Sequence, residues 1–229
     1  MTSQFRSETF GKRDDAVRPA AREASPMKSV AKRTLDVVLS GLALVFLFPL
    51  LAVVALCIRF TDPGPVLFAQ ERIGARGRRF KCYKFRSMVV DAQERLKAHL
   101  EANPEAAKEW ARDHKLQNDP RITGIGRFLR KTSLDELPQL VNILRGDMSI
   151  VGPRPIVEDE ISKYGAAFSA YAAVRPGLTG AWQVGGRSDT SYDLRVQLDV
   201  DYVERWSLGR DIKIVLLTVP AVLLNRGAV

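Results

Sequence analysis

The run from Val37 to Ile58 constrains this chain most: 22 consecutive residues carry no charge, and a single proline, Pro49, lies near the middle. That length is enough to span the hydrocarbon core of a bilayer. Pro49 argues against a simple span, because a proline inside a helix removes one backbone hydrogen bond and breaks or kinks it. Charge argues the same way. Lys32 and Arg33 precede the run; Arg59, Arg72, Arg76, Arg78 and Arg79 follow it. Basic residues favour the cytoplasmic side, so both flanks are expected on one face of the membrane. A helix that enters, bends at Phe48-Pro49 and returns meets both conditions, and this reading is preferred to a tilted span or a buried core helix.

The rest of the chain reads as a soluble, basic domain. The net charge of +9 implies an anionic partner: nucleic acid, a membrane surface or a phosphorylated substrate. Two cysteines (Cys57, Cys82) and two histidines (His99, His114) show no metal-ligand or disulfide spacing, which points to a reducing, cytoplasmic setting. Residues 1–28 lack periodicity and are expected to form a disordered tail. Residues 29–60 form the membrane element, 61–211 a catalytic domain, and 212–229 an apolar segment, interrupted by Pro220, that lies in the membrane interface.

Within the domain, Asp62-Pro63-Gly64-Pro65 marks a turn, and Val66–Phe68 and Phe80–Phe85 read as strands of a hairpin whose loop contains Gly74 and Gly77. Seven basic residues and no acidic one fall between Arg72 and Val90. Next to a membrane segment they suit anionic headgroups, at about 1 kcal/mol each; Lys84 and Arg86 are placed to reach a substrate phosphate instead. Nucleic acid is the weaker reading, since no nucleic-acid-binding motif accompanies the charge. Helices are expected over Met88–Leu100, from Pro104 (capped by Asn103) to about Leu116, and over Tyr192–Trp206, with Ile122–Leu129 as a connector.

Two adjacent carboxylates, Asp135 and Glu136, follow the basic residues Arg127, Arg130 and Lys131. Ser133 and Glu136 fit a capping box, which would make the acids simple helix-start residues. Pro138 fits that arrangement poorly, because it falls past the first turn; with Asp135 as N-cap, Pro138 would lie inside it. On either reading the acids stand at a helix start, where free N–H groups favour phosphate. Downstream, Pro153-Arg154-Pro155 holds an arginine between two prolines. It is a structural turn or a pre-set guanidinium for bidentate phosphate contact. The glycine-rich stretch Arg175–Ser188, with Arg187 and Trp182, is an ordered surface loop or a cradle for phosphate or sugar.

Six motifs occur in order: Pro63-Gly64-Pro65-Val66, Lys84-Phe85-Arg86-Ser87-Met88, Leu129–Gln139, Gly146-Asp147-Met148-Ser149, Val151–Pro155 and Arg175–Gly180. Together the chain resembles the bacterial sugar transferases, the monotopic polyprenyl-phosphate phosphoglycosyl transferases, from about Lys32 to Leu224. The resemblance implies an α+β, mostly helical fold: a re-entrant membrane helix-hairpin, a compact cytoplasmic domain with a small β-hairpin, and interfacial amphipathic helices. It implies transfer of a sugar-1-phosphate, a hexose being favoured, from a UDP-sugar to polyprenyl (undecaprenyl) phosphate, with UMP released. This would be the first membrane step of exopolysaccharide or surface-glycan synthesis, on the cytoplasmic face of the bacterial inner membrane.

By position, Asp135 would be the nucleophile that carries a covalent phosphosugar, and Glu136 its partner. Both would bind Mg²⁺. Arg130 would bind phosphate, and Arg154 with its flanking Pro153 and Pro155 would hold the nucleotide. From their charge and place in the chain, Lys84, Arg86, Arg175 and Arg187 are further phosphate or nucleotide candidates. A homodimer is compatible with this reading. The rival is a non-catalytic membrane scaffold with a basic lipid-binding face, which would not need Asp135.

Overall fold

The computed structural model describes residues 25–113, 116–185 and 191–223. The expected tail lies outside these except for Ser25–Lys28, a turn that leads into the first helix. That helix, α1 (Val30–Thr61), starts where the Ser29 side chain accepts from the Lys32 N–H at 3.2 Å. It is the one helix among the described residues long and apolar enough to cross a membrane. Pro49 lies within it, and helical structure continues on both sides, so the helix is not broken at Phe48-Pro49.

Both ends of α1 pack on the same body. Lys32, Asp36 and Ser40 are buried at one end, and Val54 and Ile58 at the other. Between them Val45, Phe46 and Phe48 are 77%, 83% and 68% exposed. An apolar stretch this exposed has no stable place in water. The N-terminal arm is tied by charge: Lys32 Nζ donates to Asp211 Oδ2 at 2.7 Å and to the Val151 carbonyl at 3.0 Å. Asp36 Oδ1 accepts from Ser149 Oγ and the Ile150 N–H, both at 3.0 Å. The C-terminal arm is held by apolar contact with Phe85 and Leu129.

The expected hairpin forms. Strands β1 (Leu67–Ile73) and β2 (Arg79–Phe85) pair antiparallel, from Leu67 opposite Phe85 to Ile73 opposite Arg79. Helices α2 (Ala92–Ala102) and α3 (Pro104–Asp113) follow; Met88 stays outside α2 because it bridges to Ile122. The connector expected at Ile122–Leu129 is instead helical: α4 (Gly124–Thr132). Thr123 caps it by accepting from the Gly126 N–H at 2.9 Å. Gly126 is required by packing, since a Cβ there would lie 1.9 Å from the Ser87 carbonyl oxygen.

Helix α5 (Gln139–Arg145) leads into β3 (Ser149–Val151), which pairs parallel with β4 (Gly177–Thr179). This strand pair was not expected from sequence. Gly177 permits it, because a side chain there would meet Gly152 N at 2.1 Å. Short helices α6 (Ile161–Tyr164) and α7 (Phe168–Ala172) come between β3 and β4, and α8 (Ala181–Val184) replaces part of the expected glycine-rich loop. The last described elements are α9 (Tyr192–Glu204) and α10 (Leu208–Leu223). α10 begins before the expected boundary at 212 and contains Pro220 without interruption. It buries Asp211, Ile214 and Ala221 while exposing Ile212, Leu216 and Val219. Among the described residues the fold is mostly helical with two small sheets.

Candidate active site

Asp135 and Glu136 lie in a 3-10 turn, Leu134–Glu136, between α4 and α5. Neither capping arrangement read from the sequence occurs. Ser133 ends α4 in the left-handed region (φ 56°) and its side chain caps nothing; Pro138 is the residue before α5. The left-handed residue turns the chain sharply, so the carboxylates leave the backbone of a tight corner. Leu134, beside Asp135, packs into the cluster formed by Val54, Ile58, Phe85 and Leu129. The dyad therefore stands one residue from the contact between the domain and α1.

Strand β2 supplies the opposing charge. Side chains of a strand alternate, so Cys82 and Lys84 share a face, and register adds Arg72 of β1 opposite Phe80. Lys84 Nζ reaches Glu136 Oε1 at 2.7 Å and Asp135 Oδ2 at 3.9 Å. From the other wall Arg154 reaches Glu136 Oε1 at 3.6 Å. Its loop is fixed by β4: the Gly177 N–H donates to the Pro153 carbonyl at 2.8 Å, and Arg72 Nη1 donates to the Pro155 carbonyl at 3.2 Å. Two guanidinium groups contact the Trp182 ring, Arg154 at 5.9 Å and Arg195 at 4.9 Å from its centre.

These residues enclose a narrow cleft lined by Arg72, Cys82, Lys84, Glu136, Gln139, Arg154 and Gln183, among others. Its free volume, about 10 Å³, is about one water molecule, because Lys84 and Arg154 converge on Glu136. Burial raises the Asp135 carboxyl above the usual carboxylate range; Lys84 opposes this, Glu136 adds to it, and Arg130 opposes it. Burial likewise raises the Cys82 thiol, with Lys84 and Arg72 opposing. Burial lowers Arg130, against the attraction of Asp135 and Asp119.

The sequence candidates are thus partly assembled. Glu136, Lys84, Arg154 and Pro155 meet at the cleft, and Asp135 stands at its edge, 3.9 Å from Lys84 Nζ. Arg130 stands next to it, with Nε donating to Ser87 Oγ at 2.9 Å. Arg86 is turned elsewhere: it is buried and bonded to the Asp62 carbonyl and carboxylate, so it fixes the Asp62–Pro65 turn instead of facing the cleft. Arg175 donates to the Gly146 carbonyl at 2.9 Å and braces the α5–β3 turn. Arg187 lies outside the described residues. Arg72, taken from the sequence as a headgroup contact, belongs to the cleft, as do Gln139 and Gln183. Strand alternation was the available signal for Arg72; the two glutamines are brought in by tertiary packing alone.

No group of three or more His, Cys, Asp or Glu side chains able to hold a metal comes together among the described residues. Mg²⁺ does not need one, since it commonly takes one or two carboxylates and completes its shell with water and substrate phosphate. Glu136 lining a cationic cleft with Asp135 beside it fits that pattern.

Comparison with known proteins now gives the class. Residues 27–225 match the family model described as bacterial sugar transferase, so the chain belongs to the bacterial sugar transferase family. It is 50% identical over 203 residues to the exopolysaccharide production protein ExoY of Rhizobium meliloti, covering 89% of this chain and 90% of that protein. It is 52% identical over 198 residues to the undecaprenyl-phosphate galactose phosphotransferase of Salmonella typhimurium, covering 86% of this chain and 41% of that longer protein. It is 43% identical over 219 residues to the UDP-glucose:undecaprenyl-phosphate glucose-1-phosphate transferase of Caulobacter vibrioides, covering 90% of this chain and 76% of that protein.

Proposed function

We propose that this protein transfers a hexose-1-phosphate from a UDP-sugar to polyprenyl phosphate, giving polyprenyl diphosphate-sugar and UMP, as an early membrane step in making an exopolysaccharide or other surface glycan. The observation that carries the reading is the cleft itself. One ammonium lies within ion-pair distance of both the buried Asp135 and the half-buried Glu136, and a loop-fixed guanidinium closes on Glu136. The names of the Salmonella and Caulobacter relatives support the substrate classes.

In this account Asp135 attacks the β-phosphorus of the UDP-sugar. The bond from that phosphorus to the bridging oxygen breaks, and UMP leaves with the oxygen and the electron pair. The phosphosugar on Asp135 is then attacked by an oxygen of polyprenyl phosphate, which restores the carboxylate. A carboxylate nucleophile divides one difficult transfer into two easier ones. Lys84 keeps Asp135 ionised against its burial. Lys84 and Arg154, now paired with Glu136, exchange that partner for the incoming diphosphate, which opens the narrow cleft. Arg130 faces the dyad from α4 and adds positive potential. Trp182 and the Pro153-Arg154-Pro155 loop hold the nucleotide.

Asp135 and Glu136 would hold Mg²⁺, which when bound offsets the charge of the diphosphate. α1 would be re-entrant. A straight 32-residue helix is about 48 Å long against a hydrocarbon core of about 30 Å. Both of its ends rest on the same domain while its middle is exposed, which favours a bend at Pro49 that leaves the domain on the cytoplasmic face of the inner membrane.

The test is UMP release by the detergent-solubilised protein with polyprenyl phosphate, Mg²⁺ and a panel of UDP-hexoses. Release is expected with one or a few donors and none with Asp135→Asn. Absence of UMP with every donor contradicts the proposal.

A further inference from the structure

Four of the seven basic residues in the run Arg72–Arg86 are engaged within the protein. Arg72 and Lys84 serve the cleft, Arg86 holds Asp62, and Arg79 pairs with Glu71 and Glu158. A different cationic surface borders an apolar groove between α8, α9 and α10. Its floor is Ala181, Val184, Ile214 and Leu217, and its rim is Arg205, Arg210 and Lys213 with one carboxylate, Asp201. Asp201 is shared by both arginines, and Lys213 has no ion-pair partner among the described residues. Three cations against one carboxylate leave the rim at about +2. The groove measures about 610 Å³, within the roughly 300–1,000 Å³ of small-molecule sites.

What lies beside it narrows the ligand. Ile212, Leu216 and Val219, at i, i+4 and i+7, form an outward stripe on α10 and are 52%, 66% and 57% exposed. Lys213 and Leu217 stand along the edge of that stripe. The occupant must therefore bring an apolar chain to the floor and a negative charge to the rim, at a surface that itself favours lipid.

We propose that this groove binds one anionic glycerophospholipid, its phosphate held by Arg205 and Lys213 and an acyl chain lying over Ala181, Val184 and Leu217. The site has a consequence for catalysis, which rests on the function proposed above. α8 is a single turn shared by two cavities: Gln183 lines the cleft and Trp182 stacks on Arg154, whereas Ala181 and Val184 line the groove. A lipid filling the groove supports that turn from behind and raises the transfer rate.

The experiment is native mass spectrometry of the full chain in detergent with phosphatidylglycerol or phosphatidylcholine, together with UMP release in phosphatidylcholine vesicles with and without phosphatidylglycerol. The wild type is expected to retain phosphatidylglycerol preferentially and to be stimulated by it. Arg205→Gln/Lys213→Gln, both exposed positions, is expected to weaken retention roughly 30-fold and to abolish stimulation; Arg205→Lys/Lys213→Arg restores both. Equal retention of the two lipids by the wild type, or unchanged retention by the glutamine variant, overturns the proposal, as does conversion of a dimer to a monomer by that variant with lipid retention unaltered. If the wild type still sediments with membranes and releases UMP in those cases, the groove assignment alone fails. Loss of sedimentation and UMP release in the wild type would remove the function reading as well.

Discussion

Replacing Lys84 by methionine keeps the length of the side chain and removes its charge from between the two acids. The ammonium lies 3.9 Å from Asp135 Oδ2 and 2.7 Å from Glu136 Oε1. At about 4 Å two unit charges attract by about 4 kcal/mol at an effective dielectric constant of about 20. The Lys84 side chain is 22% exposed, so solvent reduces this to about 2–3 kcal/mol for Asp135, or roughly 30- to 150-fold in the fraction of enzyme poised to react. Burial already raises the Asp135 carboxyl, and Lys84 is the first of the groups opposing that rise. Lys84→Met should therefore move the acid limb of the pH–rate profile upward and, at pH values below the wild-type limb, lower kcat/KM for UMP release by this factor. Lys84→Arg, which keeps the charge, should leave the acid limb nearly in place. Circular dichroism checks that each variant is folded. An acid limb at the same pH in wild type and Lys84→Met would refute the reasoning, whatever the loss in rate.

Three further outcomes follow from the same structure. Arg154→Ala should raise KM for the UDP-sugar more than it lowers kcat, by about 10- to 100-fold, as seen in initial-rate kinetics, because it removes a charged contact of about 1.5–3 kcal/mol. Asp199 is buried, with Oδ2 accepting from the Tyr164 hydroxyl at 2.7 Å, and burial pushes its carboxyl up to about 6. A raised acid stabilises the fold below its unfolded value near 4 and loses that contribution as pH rises through about 6. Chemical denaturation should therefore show the wild type losing about 2–3 kcal/mol relative to Asp199→Asn between pH 4 and pH 7. Pro49→Ala restores a helical N–H and should straighten α1. Labelling of single cysteines in spheroplasts should then find part of the N-terminal flank outside the cytoplasm, where the proline-containing protein shows both flanks inside.

The sequence made legible what depends on strong local pattern. The charge-free run gave α1, and two short apolar runs about a glycine-containing loop gave the hairpin. α4 was hidden because Gly124 and Gly126 look like loop residues, while the reason for Gly126, its contact with the Ser87 carbonyl, lies 39 positions upstream. β3 and β4 are three residues each, and their ladder joins segments 28 positions apart, so neither shows a period of its own. The dyad was legible as chemistry but not as conformation, since nothing local announces a left-handed Ser133. Arg86 and Arg175 had the right charge but are held by Asp62 and Gly146, a choice that only the folded chain makes.

The central claim is that the Asp135 carboxylate itself carries the transferred phosphosugar. The most direct measurement is intact-mass and peptide mapping of the protein quenched after reaction with its UDP-sugar and Mg²⁺ in the absence of polyprenyl phosphate. The account predicts a mass increase of one hexose phosphate, located on Asp135, equal in amount to the UMP released and lost when polyprenyl phosphate is added. UMP release without any adduct, or an adduct that persists in Asp135→Asn, would contradict it.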